Sequence, residues 1–152
     1  MNTQLEKINL LKDKEFNYSF KVKDESYLWS EDQEVLQFGA LSTTALMAEI
    51  HKCCYDILKN VLDDNQVAVV SHSCIDHLSS TPYSFKVFIK FKITQVVQNR
   101  VYFEGEVFDE INKIATFKVV RNIVSKRILK KNLNLKMESI NFSGQLPNNN
   151  TH

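Results

Sequence analysis

The chain has 152 residues, 43% of them hydrophobic, which is enough for one compact domain with a sizeable core. Nineteen Lys+Arg against eighteen Asp+Glu leave a net charge of +1, so no global field draws the protein to nucleic acid or to an anionic membrane, and neither is expected as a partner. The three glycines, Gly39, Gly105 and Gly144, cannot build a G-x-G-x-x-G turn or a P-loop, which excludes the glycine-dependent nucleotide folds.

The opening residues carry Glu6, Lys7, Lys12, Asp13 and Lys14 and never reach the apolar run of a signal peptide. Nor does any stretch approach the roughly 18 apolar residues of a membrane span. Cys53, Cys54 and Cys74 are odd in number and show no C-x-x-C pair, so they read as small buried hydrophobes of a reducing compartment. A cytoplasmic protein is expected.

Residues 16–23, FNYSFKVK, alternate and are rich in aromatics, as a half-buried strand requires. After a polar stretch around Asp24 and the segment YLWSEDQE, apolar residues recur at three- and four-residue spacing from Leu46 to Leu62. This predicts a long amphipathic helix over about 42–62 with Ser42 as N-cap, ended by Asp63, Asp64 and Asn65. VAVVSHSCID (67–76) reads as a β-branched strand. Beyond the loop LSSTPYS, FKVFIKFKI places Phe85, Val87, Ile89, Phe91 and Ile93 on one face and mostly lysines on the other. Residues 97–100 form a tight turn into VYFEGEVF (101–108), and a second turn at 110–112 leads to KIATFKVVRNIV. A helix followed by consecutive antiparallel strands predicts an α+β fold. SKRILKKNL reads as a short closing helix, so the domain is expected to span residues 1–132 with 133–152 as a disordered tail.

Several side chains could carry chemistry. Thr43 and His51 are eight residues apart on the helix, about 80° around its axis and two turns along it. Glu49 lies about 120° to the other side of Thr43 and is the poorer partner. His77 closes a strand where the loop LSSTP begins, a position often open to a cleft. Singly, each of these is more often a cap or a solvated group. His72 has the opposite strand parity to His77, so a His51/His72/His77 metal site is disfavoured; no metal and no cofactor are expected. Lys126, Arg127, Lys130, Lys131 and Lys136 form a basic patch that reads first as a solvated face and second as a phosphate contact.

Taken together, STTALMAEIHKCCYDIL, VAVVSHSCIDHLSSTP, VVQNRVYFEGEVFD and FKVVRNIV resemble the hotdog-fold thioesterases of the fluoroacetyl-CoA thioesterase type, over roughly residues 35–131. The resemblance implies a hotdog, a long central helix packed on a bent antiparallel sheet. It also implies a homodimer or dimer of dimers, and hydrolysis of an acyl-CoA to a carboxylate and free CoA. Thr43 and His77 match the family's catalytic Thr and His, and His51 stands at the position of its acid. The helix N-terminus would polarise the carbonyl. Two histidines on one cleft would disfavour each other's protonation, which suits one as base and the other as orienting group. Pro82 matches the family's proline, Ser84 replaces its glycine, and Phe38, Pro82 and Ser84 are the expected substrate-binding residues. Arg121 matches an Arg of the last strand, structural or close to the dimer interface. Phe38, Tyr83, Phe85 and Phe88 are candidates for an acyl pocket, with the core as the commoner fate of each. Because His51 replaces an acid, a non-catalytic acyl-CoA-binding or regulatory module of the same fold is the alternative.

Overall fold

The computed structural model describes residues 3–143 of the chain. Along them run α1 (Thr3–Leu11), β1 (Phe16–Lys21), a 3-10 turn (Glu25–Tyr27), α2 (Gln33–Leu36) and α3 (Thr43–Lys59). There follow β2 (Gln66–His77), β3 (Lys86–Val97), β4 (Arg100–Phe108), β5 (Lys113–Ser125) and α4 (Lys126–Ser143). The strands pair antiparallel into one sheet in the order β1-β3-β4-β5-β2.

Short turns make β3, β4 and β5 neighbours in space as in sequence. β3 enters β4 through Gln98 and Asn99, with Val97 paired to Arg100 and Gln98 at φ +55°, the left-handed conformation a two-residue hairpin requires. Asp109 closes the next turn: Oδ1 accepts the amides of Ile111 and Asn112, and Oδ2 accepts the Thr81 hydroxyl. Burial pushes this carboxyl up, but the three hydrogen bonds outweigh it and hold it below the usual carboxylate range.

The period-2 pattern of residues 85–93 is realised in β3. Val87, Ile89, Phe91 and Ile93 are buried, while Lys86, Lys90 and Lys92 lie on the outer face. Across the core they meet the predicted helical stripe, with Leu46, Ile50, Cys53, Cys54 and Leu58 of α3 all buried, whereas Cys74, expected to be buried too, is exposed because it alternates along β2 with the more covered Ser73 and Ile75. Irregularities at Val70/His72 in β2 and Ile93/Gln95 in β3 help the sheet curl around the helix. Gly105 of β4 leaves room for the Phe117 ring from β5, which takes the space a side chain would fill.

Both ends of the chain differ from the expectation. The charged N-terminus, for which periodicity indicates no element, forms α1: Ile8 is buried and Gln4 Nε2 donates to the Val61 carbonyl at 3.2 Å, closing one end of the core. The closing helix α4 extends to Ser143, so residues 133–143, expected as disordered tail, are helical; 144–152 lie outside the described residues. The physical reason is in the composition: Leu, Lys and Met favour helix, and neither Gly nor Pro interrupts the run before Gly144. The predicted 42–62 helix begins at Thr43 behind its Ser42 cap but ends at Lys59, where the Val61 and Leu62 amides turn back to the Leu58 carbonyl.

Candidate active site

The site begins at the N-terminus of α3. Ser42 is extended, its Oγ accepts the Ala45 amide at 3.0 Å and its carbonyl accepts the Leu46 amide at 3.1 Å. The amides of Thr43 and Thr44 have no intrahelical acceptor, so the positive end of the helix dipole is centred on Thr43. The approach to this helix is tied down from two sides: the Ser42 amide donates to the Tyr27 carbonyl at 2.8 Å and the Leu41 amide to the Thr81 carbonyl at 2.9 Å. Ala40 also bridges Pro82. The loop after β2 is thereby held against the start of α3. His77, the last residue of β2, is brought within reach: Thr43 Oγ1 and His77 Nδ1 are 2.8 Å apart.

His51 is brought to the same region without touching this pair. It lines an open groove of about 470 Å³ together with Thr43, Thr44, Met47, Ala48 and Ser73. Eight helical residues place it about 12 Å further along the axis, too far for a direct proton exchange with Thr43. Ser73 was not among the predicted residues. It precedes His77 by four positions, hence lies on the same face of β2, and that parity could have found it. Arg121 is buried and fixes the backbone beneath the groove: Nη2 donates to the His51 carbonyl at 2.6 Å and Nη1 to the Ala68 carbonyl at 2.5 Å, while the guanidinium lies 5.2 Å from the centre of the Tyr55 ring. Of the two roles expected for Arg121, this geometry establishes the structural one.

Both imidazoles are harder to protonate than the ordinary value of about 6.5. For His77 burial is the cause, opposed in part by a hydrogen bond involving the Ser79 backbone. For His51 burial acts first and the Arg121 charge second. The expected depression therefore occurs, but it arises from burial and a cation rather than from repulsion between the histidines. Nε2 of each ring is shielded from solvent and has no hydrogen-bond partner among the described residues.

The remaining candidates lie elsewhere. Glu49 faces away from the groove, its carboxylate accepting the hydroxyls of Tyr18 at 2.8 Å and Tyr27 at 2.9 Å. The Tyr18 hydroxyl is pushed up to about 12 by burial and by Glu49, and that of Tyr27 to about 12 by Glu49 and burial. Phe38, Pro82 and Ser84 form the loops beside the entry to α3 and do not line the groove. Phe38 is 69% exposed, and Tyr83 and Phe88 are also exposed, so the core is not the fate of these three aromatics. Ser84 has φ +73°, a left-handed conformation that favours the glycine expected there. His72 pairs with Val120 on the face opposite His77, and the described residues contain no group of three His, Cys, Asp or Glu side chains placed to hold a metal.

Solved structures share this fold. A hot-dog-like protein from Thermanaerovibrio acidaminovorans aligns with TM-score 0.77 at 20% identity, covering 85% of this chain and 96% of its own. The fluoroacetyl-CoA thioesterase FlK gives 0.72 at 15% identity, over 82% and 96%. A Thermus thermophilus protein described as a thioesterase superfamily member gives 0.72 at 17%, over 84% and 96%. The fold is a hotdog, α+β, with α3 wrapped by the curled sheet. No curated protein matches by sequence. A family model described as fluoroacetyl-CoA-specific thioesterase matches residues 22–127, which contain the groove and the Thr43–His77 pair, and the chain belongs to that thioesterase family.

Proposed function

We propose that the protein hydrolyses an acyl-CoA thioester to a carboxylate and free CoA. The observation that carries this reading is the 2.8 Å approach of Thr43 Oγ1 to His77 Nδ1 at the N-terminus of α3. A thioester needs a nucleophile, a base to take its proton, and donors for the oxygen that develops charge. Thr43 donates its hydroxyl proton to neutral His77 and adds to the carbonyl carbon, while the free amides at the start of α3 face the growing oxyanion. The C–S bond breaks and the imidazolium returns the proton to the CoA thiolate. Water, deprotonated by the same imidazole, then adds to the Thr43 ester, the acyl C–O bond breaks, and the imidazolium returns its proton to Thr43 Oγ1 as the acid leaves. His51, two turns along the groove, orients the substrate and adds no charge at neutral pH, in contrast to the acid it replaces. Phe38, Pro82 and Ser84 form the shoulder on which the acyl group rests.

The proposal includes a homodimer. β2 is a twelve-residue edge strand whose outer residues Ser71 and His72 are exposed, and a long open edge is a template for a second copy. A cytoplasmic location fits the free thiols of Cys53, Cys54 and Cys74. The test is release of free CoA from a panel of short, branched and long acyl-CoAs, with the solution mass measured alongside. Turnover on at least one of them supports the reading. Binding of acyl-CoA without turnover on any would favour the non-catalytic module, the reading to which His51 in place of an acid points.

A further inference from the structure

Helix α4 lies almost wholly outside the part of the chain shared with the family, because the family match ends at residue 127. It leaves the sheet where Lys126 donates its amide to the Asn65 carbonyl at 2.8 Å, just before β2 begins. His77 is at the other end of that twelve-residue strand, roughly 35 Å away at about 3.3 Å per residue. The first turn of α4, with Lys126 and Arg127, is therefore remote from the Thr43–His77 site of its own protomer.

Apart from the end of β5, α4 makes little contact with the described protein. Its apolar side chains Ile128, Leu129, Leu133, Leu135 and Met137 are exposed, from 36% for Leu129 to 66% for Met137. At about 100° per residue they span an arc roughly 200° wide, in which Asn132 separates Ile128 and Leu135 from the stripe of Leu129, Leu133 and Met137. Lys130 borders this face on one edge and Lys131 on the other. Arg127, Asn134 and Glu138 lie opposite, and Lys136, within the apolar face, has a stem long enough to carry its ammonium outward.

Charge selects the partner. Five Lys/Arg against one Glu leave α4 at +4, while the whole chain is at +1, so the remainder is at −3. The near-neutral total, which argued against a membrane partner, is thus an average over two unlike regions. Packing two copies of α4 together would cover the apolar faces but bring two +4 helices into contact. An anionic lipid surface satisfies both halves of the helix, with acyl chains for the apolar face and headgroup charges for the lysines that border it. We propose that α4 docks the protein peripherally on an anionic membrane, lying in the interface with the adjoining side chains of Leu129, Leu133 and Met137 buried among the acyl chains. No described helix is long and apolar enough to cross a bilayer, so the association is one of surface attachment.

The test is sedimentation of the full chain with vesicles of phosphatidylcholine alone and of phosphatidylcholine mixed with phosphatidylglycerol. The protein should sediment with the mixed vesicles, remain in solution with the neutral ones, and be released by added salt. Lys130→Gln combined with Lys131→Gln should weaken binding roughly 25-fold, at about 1 kcal/mol per lysine. Leu133→Asp with Met137→Asp should abolish it, with the thermal melt of each variant confirming that the domain is folded. No binding to the mixed vesicles, equal binding to both kinds, or indifference to the lysine substitutions would overturn the proposal. It would also be overturned if Leu133→Asp with Met137→Asp lowered the solution mass of a protein that ignores vesicles, since the apolar face would then belong to a second copy.

Discussion

Thr43 and His77 are thirty-four positions apart in the chain, yet their side chains meet at 2.8 Å. The meeting is a consequence of backbone construction. Leu41 and Ser42 are held by Thr81 and Tyr27, so the helix start and the end of β2 are fixed to one another before either side chain acts. A pair placed in this way is pre-organised for proton transfer, because neither partner must be recruited when substrate arrives.

Removing either member should therefore damage turnover far more than stability. Thr43→Ala and His77→Gln are expected to lower kcat by about 10²- to 10⁴-fold, while Thr43→Ser retains measurable hydrolysis. Thr43 is exposed, so its alanine variant should melt within a few degrees of the parent. Free-CoA release and circular dichroism on the same samples check both statements. A Thr43→Ala variant with parental kcat would remove Thr43 from the mechanism.

The depressed imidazoles predict the acid limb of the pH profile. Burial lowers both His51 and His77 in the folded chain, so below about pH 6.5 the unfolded chain binds more protons than the native one. The stability this provides is fully present above about pH 6.5 and is lost as pH falls through the lower folded-state values. In the proposed mechanism activity should follow the same direction, since only a neutral His77 can take the Thr43 proton. With His51→Gln, urea denaturation from pH 8 to 5 should lose part of its acid sensitivity while the acid limb of kcat/KM, set by His77, persists. Disappearance of that limb would transfer the role of base to His51.

Arg121 is the structural tie between β5, β2 and α3. Arg121→Met leaves the Ala68 and His51 carbonyls without their donors in the interior, which should cost about 2–5 kcal/mol. Arg121→Lys should recover only part of it, because one ammonium cannot reproduce the planar fork that reaches two carbonyls. Urea midpoints measure the effect, and a midpoint unchanged in the methionine variant would deny the tie any stabilising role.

Two backbone positions should respond in opposite directions. A Cβ on Gly105 would overlap the Phe117 ring and come within 2.7 Å of the Lys90 carbonyl oxygen; neither the strand nor the packed ring can easily give way, so Gly105→Ala should destabilise by about 3 kcal/mol. Ser84, at φ +73°, already bears the strain of a left-handed conformation, and Ser84→Gly should raise stability by up to about 1 kcal/mol. Thermal melts of the two variants against the parent decide the signs.

The sequence by itself determined the elements that repeat. The stripe from Leu46 to Leu58, the alternation of Val87 to Ile93, the Ser42 cap and the 97–100 turn each depend on neighbours a few residues away, and all four stand in the structure. The residue types of the candidate site, Thr43, His51 and His77, are singled out by resemblance more than by spacing. Only the tertiary structure decided which of them touch. Thr43 meets His77 and not His51, Ser73 enters the groove, Glu49 is engaged by Tyr18 and Tyr27, and Arg121 holds the carbonyl of His51. The exposure of the apolar face of α4 belongs here too. Periodicity reports which side of an element is apolar about its own axis. What faces that side is set by strand order, register and the loops that join distant backbone, and no local pattern encodes those.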